Sequence, residues 1–178
     1  MKDWIREAEI RPIFIENQQD ANIPNQPFAR WGRMIPSLTE GYWSYRILEF
    51  AEKTEMCFPD YPYDVEDGGY YYGAYVEDQC IGMAVLREGM FRYLYLEDLK
   101  VDVRYRGSGI GKKLVEACMN KARELQMQGV YTIGQDNNLS ACLFYIRNGF
   151  AIGGFDNRAY RGTVQEEKAD IYFYKDVQ

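Results

Sequence analysis

The stretch YLYLEDLKVDVRYRGSGIGKKLV, residues 93–115, predicts a β-strand, a glycine-rich turn and the first turn of a helix. Large side chains alternate along the strand, which also carries two adjacent carboxylates, Glu97 and Asp98. The turn, residues 107–111, holds three glycines and is flanked by arginine and lysine. Bare backbone N–H groups at a helix N-terminus beside cations suit a phosphate group. The stretch therefore predicts a phosphate-binding turn next to a pair of carboxylates.

The composition limits the chemistry available around this stretch. A chain of 178 residues is long enough for one domain with its own core. It contains no histidine, which excludes Ser-His-Asp and Cys-His catalysis and every histidine-based metal site. The four cysteines lie more than twenty residues apart without a CxxC pair, so we expect neither a zinc site nor a redox dithiol.

Charge and hydropathy narrow the expected partners and location. The net charge of −6 counts against the basic face of a nucleic-acid-binding protein and suits a cationic small molecule better. No apolar run approaches the ~18 residues of a membrane span, and no signal peptide is visible. We therefore expect a cytoplasmic protein without a nucleic-acid or membrane partner.

The first 60 residues give a weaker pattern. Apolar residues at positions 10–15 predict the start of a strand. Residues 33–50 predict a hairpin with its turn at 39–41. A helix across residues 47–56 is the alternative prediction for the second arm of this hairpin.

An antiparallel meander is predicted immediately before the glycine turn. Residues 58–69, rich in proline, glycine and acidic residues, form a connection. The strands that follow are residues 70–76, 80–87 and 93–103, joined by short turns. Three consecutive strands with short turns are typical of an antiparallel meander.

Helices and strands alternate after the glycine turn. Apolar residues recur with helical spacing over 109–128, and Gly129 is predicted to cap that helix. The further predicted elements are a strand at 130–133, a helix at 139–147 capped by 136–138 and closed by 148–149, and strands at 150–153 and 169–174. The order of elements predicts an α+β fold around a mixed sheet.

Two common nucleotide-binding motifs do not match the glycine turn. A Walker A loop requires glycine where the chain has Arg106, and serine or threonine where it has Lys113. A dinucleotide fingerprint requires a third glycine where the chain has Lys112. The sequence therefore excludes both alternatives.

The spacing that matches is Arg106-x-x-Gly109-x-Gly111, which resembles the pyrophosphate motif of the GNAT superfamily of N-acetyltransferases. A second segment, NLSACLFY at residues 138–145 followed by NGF at 148–150, is also similar to this superfamily. The two motifs lie on the predicted elements at the separation that the superfamily shows. The resemblance covers the chain from about residue 70 to its end.

The resemblance implies a GNAT-like α+β fold, with a mostly antiparallel central sheet, a splayed parallel strand pair and flanking helices. It also implies one GNAT domain over residues 1–178. Within that domain, residues 70–178 would form the acetyl-CoA-binding core. Residues 1–60, which diverge from the recognisable pattern, would shape the acceptor site.

Acetyl-CoA is the cosubstrate that the resemblance implies, without a metal. Unpaired backbone groups near residues 99–103 would bind its pantetheine arm, and the N–H groups of residues 107–112 would bind its pyrophosphate. The implied cosubstrate-binding residues are Leu99, Val101, Val103, Arg106, Gly107, Ser108, Gly109, Ile110, Gly111, Lys112, Asn138, Ala141 and Phe144.

The resemblance implies a catalytic role for Tyr145, and the need of an ammonium acceptor to lose a proton suggests one for Glu97. Tyr145 stands where the superfamily usually carries the general acid that protonates the departing thiolate; a packing role beside Phe144 is the alternative. Glu97 is the candidate base for the acceptor ammonium. Asp98 is assigned to substrate binding, although strand alternation turns it away from Glu97 unless a bulge re-aims one of them. Whether Glu97, Asp98 or a water is the base stays open, as does a structural role for Asp98.

Two groups of acetyltransferases resemble the chain more closely. The sequence YLED at 95–98 looks like that of polyamine and diamine acetyltransferases, whereas residues 135–153 look like those of streptothricin acetyltransferases. Both groups accept a flexible, cationic primary amine. Acidic residues of the 58–69 connection, Asp64 among them, could form a cation-attracting rim; a solvated connection is the alternative.

The leading hypothesis is an acetyl-CoA-dependent N-acetyltransferase that acts on a cationic small molecule such as streptothricin. A polyamine, diamine or amino-acid N-acetyltransferase is the second hypothesis, and a non-catalytic acyl-CoA-binding sensor is the third. Relatives in the superfamily are often dimers, so a homodimer is an expectation that the sequence leaves open.

Overall fold

The computed structural model describes residues 8–178, which divide into two compact units. The first unit takes the chain up to Gln26, then Phe58–Val130 and Asp176–Gln178. The second unit consists of Pro27–Cys57 and Tyr131–Lys175. The single domain over residues 1–178 stays a prediction, and its residues 1–7 lie outside the described part.

The first unit is built on an antiparallel sheet. Its strands are β1 (Glu9–Pro12), β4 (Tyr70–Val76), β5 (Gln79–Glu88) and β6 (Tyr93–Val101), in the spatial order β1-β4-β5-β6. All three neighbouring pairs run antiparallel. The predicted meander of three strands is therefore confirmed, with its last strand ending two residues earlier than predicted.

Strand β6 contains a bulge at the predicted carboxylate pair. Leu86 of β5 lies opposite Leu96, but its neighbour Val85 lies opposite Asp98. Glu97 is thus an extra residue on β6 without a counterpart on β5. Such a bulge bends the strand and changes which side the following residues face.

Helix α1 (Ile110–Glu124) packs against the strands of the first unit through its apolar face. Leu114, Cys118 and Ala122 of that face are completely buried. The helix ends at Glu124, earlier than the predicted Gln128, because Gln126 adopts a left-handed conformation with φ of 55°. The prediction that Gly129 caps this helix is wrong, since Gly129 begins the next strand.

A second apolar cluster in the first unit joins the sheet to the segments around it. Ile13, Ala21 and Tyr71 are buried there with Met83 and Val85 of β5. Tyr63 and Val65 of the 58–69 connection pack against this cluster. The predicted strand at positions 10–15 is only partly correct, because β1 ends at Pro12 and a 3-10 helix runs over Ile15–Asn22.

The second unit contains a long hairpin formed by β2 (Phe28–Thr39) and β3 (Tyr42–Met56). Glu40 and Gly41 make its turn, with φ of 51° and 85°. The predicted hairpin is confirmed, and the alternative helix across residues 47–56 is wrong.

The remaining elements lie wholly or mostly in the second unit: β7 (Gly129–Gln135), α2 (Leu139–Arg147), β8 (Ala151–Asp156) and β9 (Asp170–Asp176). Their strands follow the order β7-β9-β8, and β8 pairs antiparallel with β9. Asn138 caps α2 as predicted by accepting a hydrogen bond from the N–H of Ala141, and Gly149 follows the helix with φ of 83°. None of the helices within residues 8–178 is long and apolar enough to cross a membrane.

Candidate active site

The glycine turn, residues 106–111, has the backbone that a phosphate cradle requires. Gly107 and Gly109 take φ of 74° and 91°, a region that L side chains rarely adopt. A Cβ built on either residue would meet no atom within 4 Å, so a side chain would project into open space before the turn. These glycines are therefore required by the backbone conformation, and they keep the approach to the turn clear.

Helix α1 begins directly at this turn. Gly109 is its N-cap, and the first intrahelical bond runs from Lys113 N–H to Gly109 O. The N–H groups of Ile110, Gly111 and Lys112 precede that bond, at the positive end of the helix dipole. This geometry fits an anionic pyrophosphate.

A 3-10 helix, Val103–Tyr105, connects β6 to the glycine turn. Asp102 caps it by accepting from the N–H of Arg104 at 2.9 Å, and the Arg104 guanidinium binds the same carboxylate. The hydrogen bonds from Arg104 lower the pKa of Asp102 to about 2. Asp102 therefore stays ionised and fixes the path of the chain into the turn.

Two backbone groups at the end of β6 are hydrogen-bonded by side chains. Val103 N–H donates to Gln26 Oε1 at 2.6 Å, and Val101 O accepts from Arg106 Nε at 3.0 Å. The expectation that the backbone groups of residues 99–103 are unpaired is wrong for these two, and also for Asp102, whose N–H donates to Ile81 O at 2.9 Å. Gln26 was missed because no motif marks it: it lies 77 residues from Val103 in sequence.

The β6 bulge brings both predicted carboxylates to one side of the sheet. Asp98 lies opposite Val85. Glu97 is two residues beyond Tyr95 and so points to the same side as Tyr95, which lies opposite Arg87. Since Val85 and Arg87 share a face of β5, Glu97 and Asp98 share it too. We call the group formed by Glu97, Asp98, Arg87, Asp67 and Tyr63 the carboxylate face.

Arg87 holds two acidic side chains of the carboxylate face. Its Nε donates to Glu97 Oε2 at 2.6 Å, and its Nη1 lies 2.5 Å from Asp67 Oδ1. Burial would lower the pKa of Arg87, but the bonds to Asp67 and Glu97 outweigh it and raise the pKa. For Asp67, burial is likewise outweighed by hydrogen bonds from Arg87, Gly69 N–H and Tyr71, which lower its pKa.

Asp98 has a different environment from Glu97. Its Oδ2 accepts from the Tyr63 hydroxyl and lies 3.2 Å from Lys100 Nζ. Burial raises the pKa of Asp98 against the opposing effect of Lys100. Burial and the negative charges of Asp98 and Glu97 raise the pKa of Tyr63, so its phenol stays protonated and donates.

The 58–69 connection, which we call the acidic segment, is hydrogen-bonded to an earlier part of the first unit, at Asn22 and Asn25. Tyr63 N–H donates to Asn22 Oδ1 at 2.7 Å, and Asn22 Nδ2 donates back to Tyr63 O. Asp60 accepts from Asn25 N–H at 2.6 Å. Asp64, a predicted substrate-binding residue, is exposed and accepts from the N–H of Glu66, which shapes the local turn.

The second unit places Tyr145 on α2 within an aromatic group. Its ring centroid lies 5.5 Å from that of Phe144, 5.5 Å from that of Phe150 and 5.4 Å from that of Phe173. The residue is half-buried, so the rings pack around part of the side chain and part of the residue stays accessible. Ala141 is also partly exposed, whereas the side chain of Asn138 is engaged in capping the helix.

A buried polar group at the end of β7 was not anticipated from the sequence. Asp136 is 3% exposed and pairs with Arg33 of the hairpin at 3.5 Å. Its Oδ1 accepts from Ala169 N–H, and its backbone O accepts from Met34 N–H. These contacts fasten the hairpin to the strand end, and the sequence offered only the acidic residue before the helix cap as a signal.

No group of three or more His, Cys, Asp or Glu side chains within residues 8–178 is arranged to hold a metal ion.

Comparisons with known proteins agree with this geometry. Residues 35–150 match the model of the acetyltransferase (GNAT) family. Streptothricin acetyltransferase A of Bacillus subtilis (strain 168) is 33% identical over 162 residues, which cover 89% of this chain and 94% of that protein. Spermine/spermidine N(1)-acetyltransferase of the same organism is 30% identical over 123 residues, covering 62% of this chain and 77% of that protein.

A solved structure is similar over nearly the whole chain. It is described as a streptothricin acetyltransferase from Bacillus anthracis str. Ames in complex with acetyl coenzyme A. The two share 29% identity with a TM-score of 0.86, and the match covers 95% of this chain and 99% of that one.

These findings confirm the predicted family, the α+β fold of GNAT type and the activity class, an acetyl-CoA-dependent N-acetyltransferase. The match to the family model and the similarity to a relative along almost its full length show that the chain belongs to the GNAT acetyltransferase family.

Proposed function

We propose that the protein transfers the acetyl group of acetyl-CoA to a primary amine of a cationic small molecule of the streptothricin type. The observation that carries this proposal is the carboxylate face, on which the β6 bulge brings Glu97 and Asp98 to the same side. The similarity to streptothricin acetyltransferase A over most of both chains supports the substrate class. The acidic segment beside this face suits a cationic acceptor.

The cosubstrate is bound mainly by backbone groups in this proposal. The N–H groups of residues 107–112 hold the pyrophosphate at the start of α1, with Arg106 and Ser108 at the turn. Backbone groups of Leu99, Val101 and Val103 receive the pantetheine arm, and the latter two exchange their present side-chain partners for it. Asn138, Ala141 and Phe144 of the second unit are proposed as further cosubstrate contacts.

The acetyl-CoA thioester supplies an activated acetyl group for the acceptor. Glu97 takes a proton from the acceptor ammonium, which frees the lone pair of the nitrogen for attack. Asp98 and the exposed Asp64 attract and orient the cationic acceptor. Tyr145 donates its phenolic proton to the sulfur as the C–S bond breaks, leaving a neutral thiol. The second proton that the attacking nitrogen loses on forming the amide restores the phenol through solvent.

A second candidate substrate class is the linear polyamines. The similarity to a spermine/spermidine N(1)-acetyltransferase favours it, although that match covers less of the chain. An amino-acid acetyltransferase and a non-catalytic acyl-CoA sensor have less support. A homodimer and a cytoplasmic location stay predictions.

The test is a CoA-release assay with the purified protein over streptothricin, spermidine, lysine and an aminoglycoside. We expect the highest kcat/KM with streptothricin, and mass spectrometry should show one added acetyl group. Preference for spermidine would support the polyamine candidate instead. Acetyl-CoA binding without turnover of any amine would contradict the enzyme proposal and favour a sensor.

A further inference from the structure

Arg87 connects two parts of the first unit that the sequence does not link. It lies on β5, with a side chain 26% exposed, between the bulged residue of β6 and the acidic segment. Nε faces Glu97 and Nη1 faces Asp67, so two different edges of the planar guanidinium are used. Because the guanidinium is rigid, binding Asp67 at one edge fixes the direction of the Nε–H at the other.

The position of Glu97 explains why such a contact is needed. Residues in a regular strand are oriented by the ladder of hydrogen bonds, but a bulged residue lies outside the regular pairing. Glu97 has no counterpart on β5, and its side chain is 35% exposed. The bond from Arg87 therefore selects one orientation among those open to a partly exposed glutamate.

Arg87 is itself held from the side of the acidic segment. Asp67 accepts from Gly69 N–H at 2.9 Å and from the Tyr71 hydroxyl at 2.8 Å, so the carboxylate that binds Arg87 is fixed. A Cβ on Gly69 would lie 2.9 Å from Arg87 Nη1. The chain at Gly69 therefore approaches the guanidinium as closely as glycine allows.

We propose that Arg87 is a positioning residue that orients Glu97 for proton transfer, using Asp67 of the acidic segment as its anchor. This inference rests on the proposed function, because it requires Glu97 to act on the acceptor. It also gives the acidic segment a second role, since the segment then fixes the orientation of the base in addition to attracting the acceptor.

The main test measures kcat and both KM values for Arg87→Gln and Arg87→Lys. We expect Arg87→Gln to lower kcat by about 30-fold while the KM for acetyl-CoA changes by less than about 2-fold. Arg87→Lys keeps the charge but can bind only one carboxylate well, so a loss of about 5-fold is expected. An unchanged kcat for Arg87→Gln, or an equal fall in kcat and acetyl-CoA affinity, would overturn the proposal.

A double-mutant comparison separates positioning from a general structural role. In a Glu97→Gln background, Arg87→Gln should lower kcat by less than about 2-fold further, since its effect passes through Glu97. Losses that multiply fully would show that Arg87 acts by another route. Asp67→Asn should reproduce part of the Arg87→Gln loss, by about 3-fold, because the anchor is weakened; full activity in this variant would contradict the role of the anchor.

Two further variants keep the test interpretable. Arg11→Gln is the matched control. Arg11 belongs to the same unit, stacks on Tyr75 at 4.2 Å and donates to Glu77 O, and kcat should not change in this variant.

Gly69→Ala is the second variant, for the case in which Arg87→Gln does not fold. It displaces the guanidinium without removing it and should lower kcat by about 5-fold. A wild-type kcat in Gly69→Ala would overturn the proposal. If the wild type is active and the Arg87 and Asp67 variants keep its kcat, the role of Arg87 is contradicted while the proposed function stands.

Discussion

The glycine turn and the carboxylate face belong to the same unit, yet they are built in different ways. The turn presents the backbone N–H groups of six consecutive residues, 107–112, and needs only glycine and a helix start. The carboxylate face uses side chains from the acidic segment, β5 and β6, brought together by a bulge. A site made of backbone groups is formed by residues that are neighbours in the sequence. A site made of side chains depends on contacts between residues that are far apart in the sequence.

The largest effect should come from the turn. Gly109→Val adds a branched side chain at φ of 91° and fills the space in front of the α1 N-terminus. We expect acetyl-CoA affinity to fall by about 100-fold, measured by isothermal titration calorimetry.

The matched control for this variant is Gly41→Val, at the hairpin turn. Gly41 has a similar φ of 85° and equally open surroundings, but it is remote in sequence from the cradle. Both variants should lose similar stability, and only Gly109→Val should lose binding. Normal acetyl-CoA binding by Gly109→Val would reject the cradle.

Tyr145 tests the contrast between the backbone site and the side-chain site, because a local motif identifies it but its proposed role depends on its side chain. Tyr145→Phe keeps the ring among Phe144, Phe150 and Phe173 and removes only the hydroxyl. We expect kcat to fall by about 50-fold with little change in acetyl-CoA affinity, because the proton for the leaving sulfur is lost. Tyr42→Phe, at a tyrosine 80% exposed, should change neither value. An unchanged kcat for Tyr145→Phe would remove the general-acid role.

The carboxylate face predicts unequal roles for its two acids. Glu97→Gln should lower kcat by about 30-fold at neutral pH and by less as the pH rises, because a growing fraction of the acceptor amine is then already neutral. Asp98→Asn should lower kcat/KM for the amine by about 5-fold, mainly through a higher KM, because Asp98 is bound by Tyr63 and Lys100. Steady-state kinetics from pH 6 to 9 would decide between them. A larger kcat loss in Asp98→Asn would make Asp98 the base.

The smallest expected effect concerns Val103, which lies between β6 and the glycine turn. Gln26→Ala removes the side chain that accepts from Val103 N–H, a backbone group proposed for the pantetheine arm. Acetyl-CoA affinity should rise by about 3-fold, since no internal hydrogen bond has to be broken on binding. Gln19→Ala, at an exposed glutamine of the same unit, is the control. Weaker binding by Gln26→Ala would make Gln26 a cosubstrate contact instead.

The success of the sequence predictions follows the same division. The meander, the hairpin, the cap at Asn138 and the glycine turn were predicted because each depends on residues close in the chain. The prediction for helix α1 is too long because it relies on Gly129 as the cap, whereas the backbone already turns left-handed at Gln126.

Contacts between distant residues account for what was missed. Arg87 and Asp67 are 20 positions apart, and Asn22 binds Tyr63 across 41 positions. Neither pair has a local pattern. Two adjacent carboxylates share a side of a strand only at a bulge, and only the pairing of β5 with β6 shows that this bulge exists.

The single extra residue in β6 also determines how tolerant this strand is to changes in length. Deleting one residue between Leu96 and Asp98 would restore regular pairing and remove the residue that faces Arg87. An insertion at the same place that shifted the pairing by one residue would turn the side chains of Leu99 and Val101 away from their present side. The number of residues in β6, and not only their identity, therefore determines whether the carboxylate face forms.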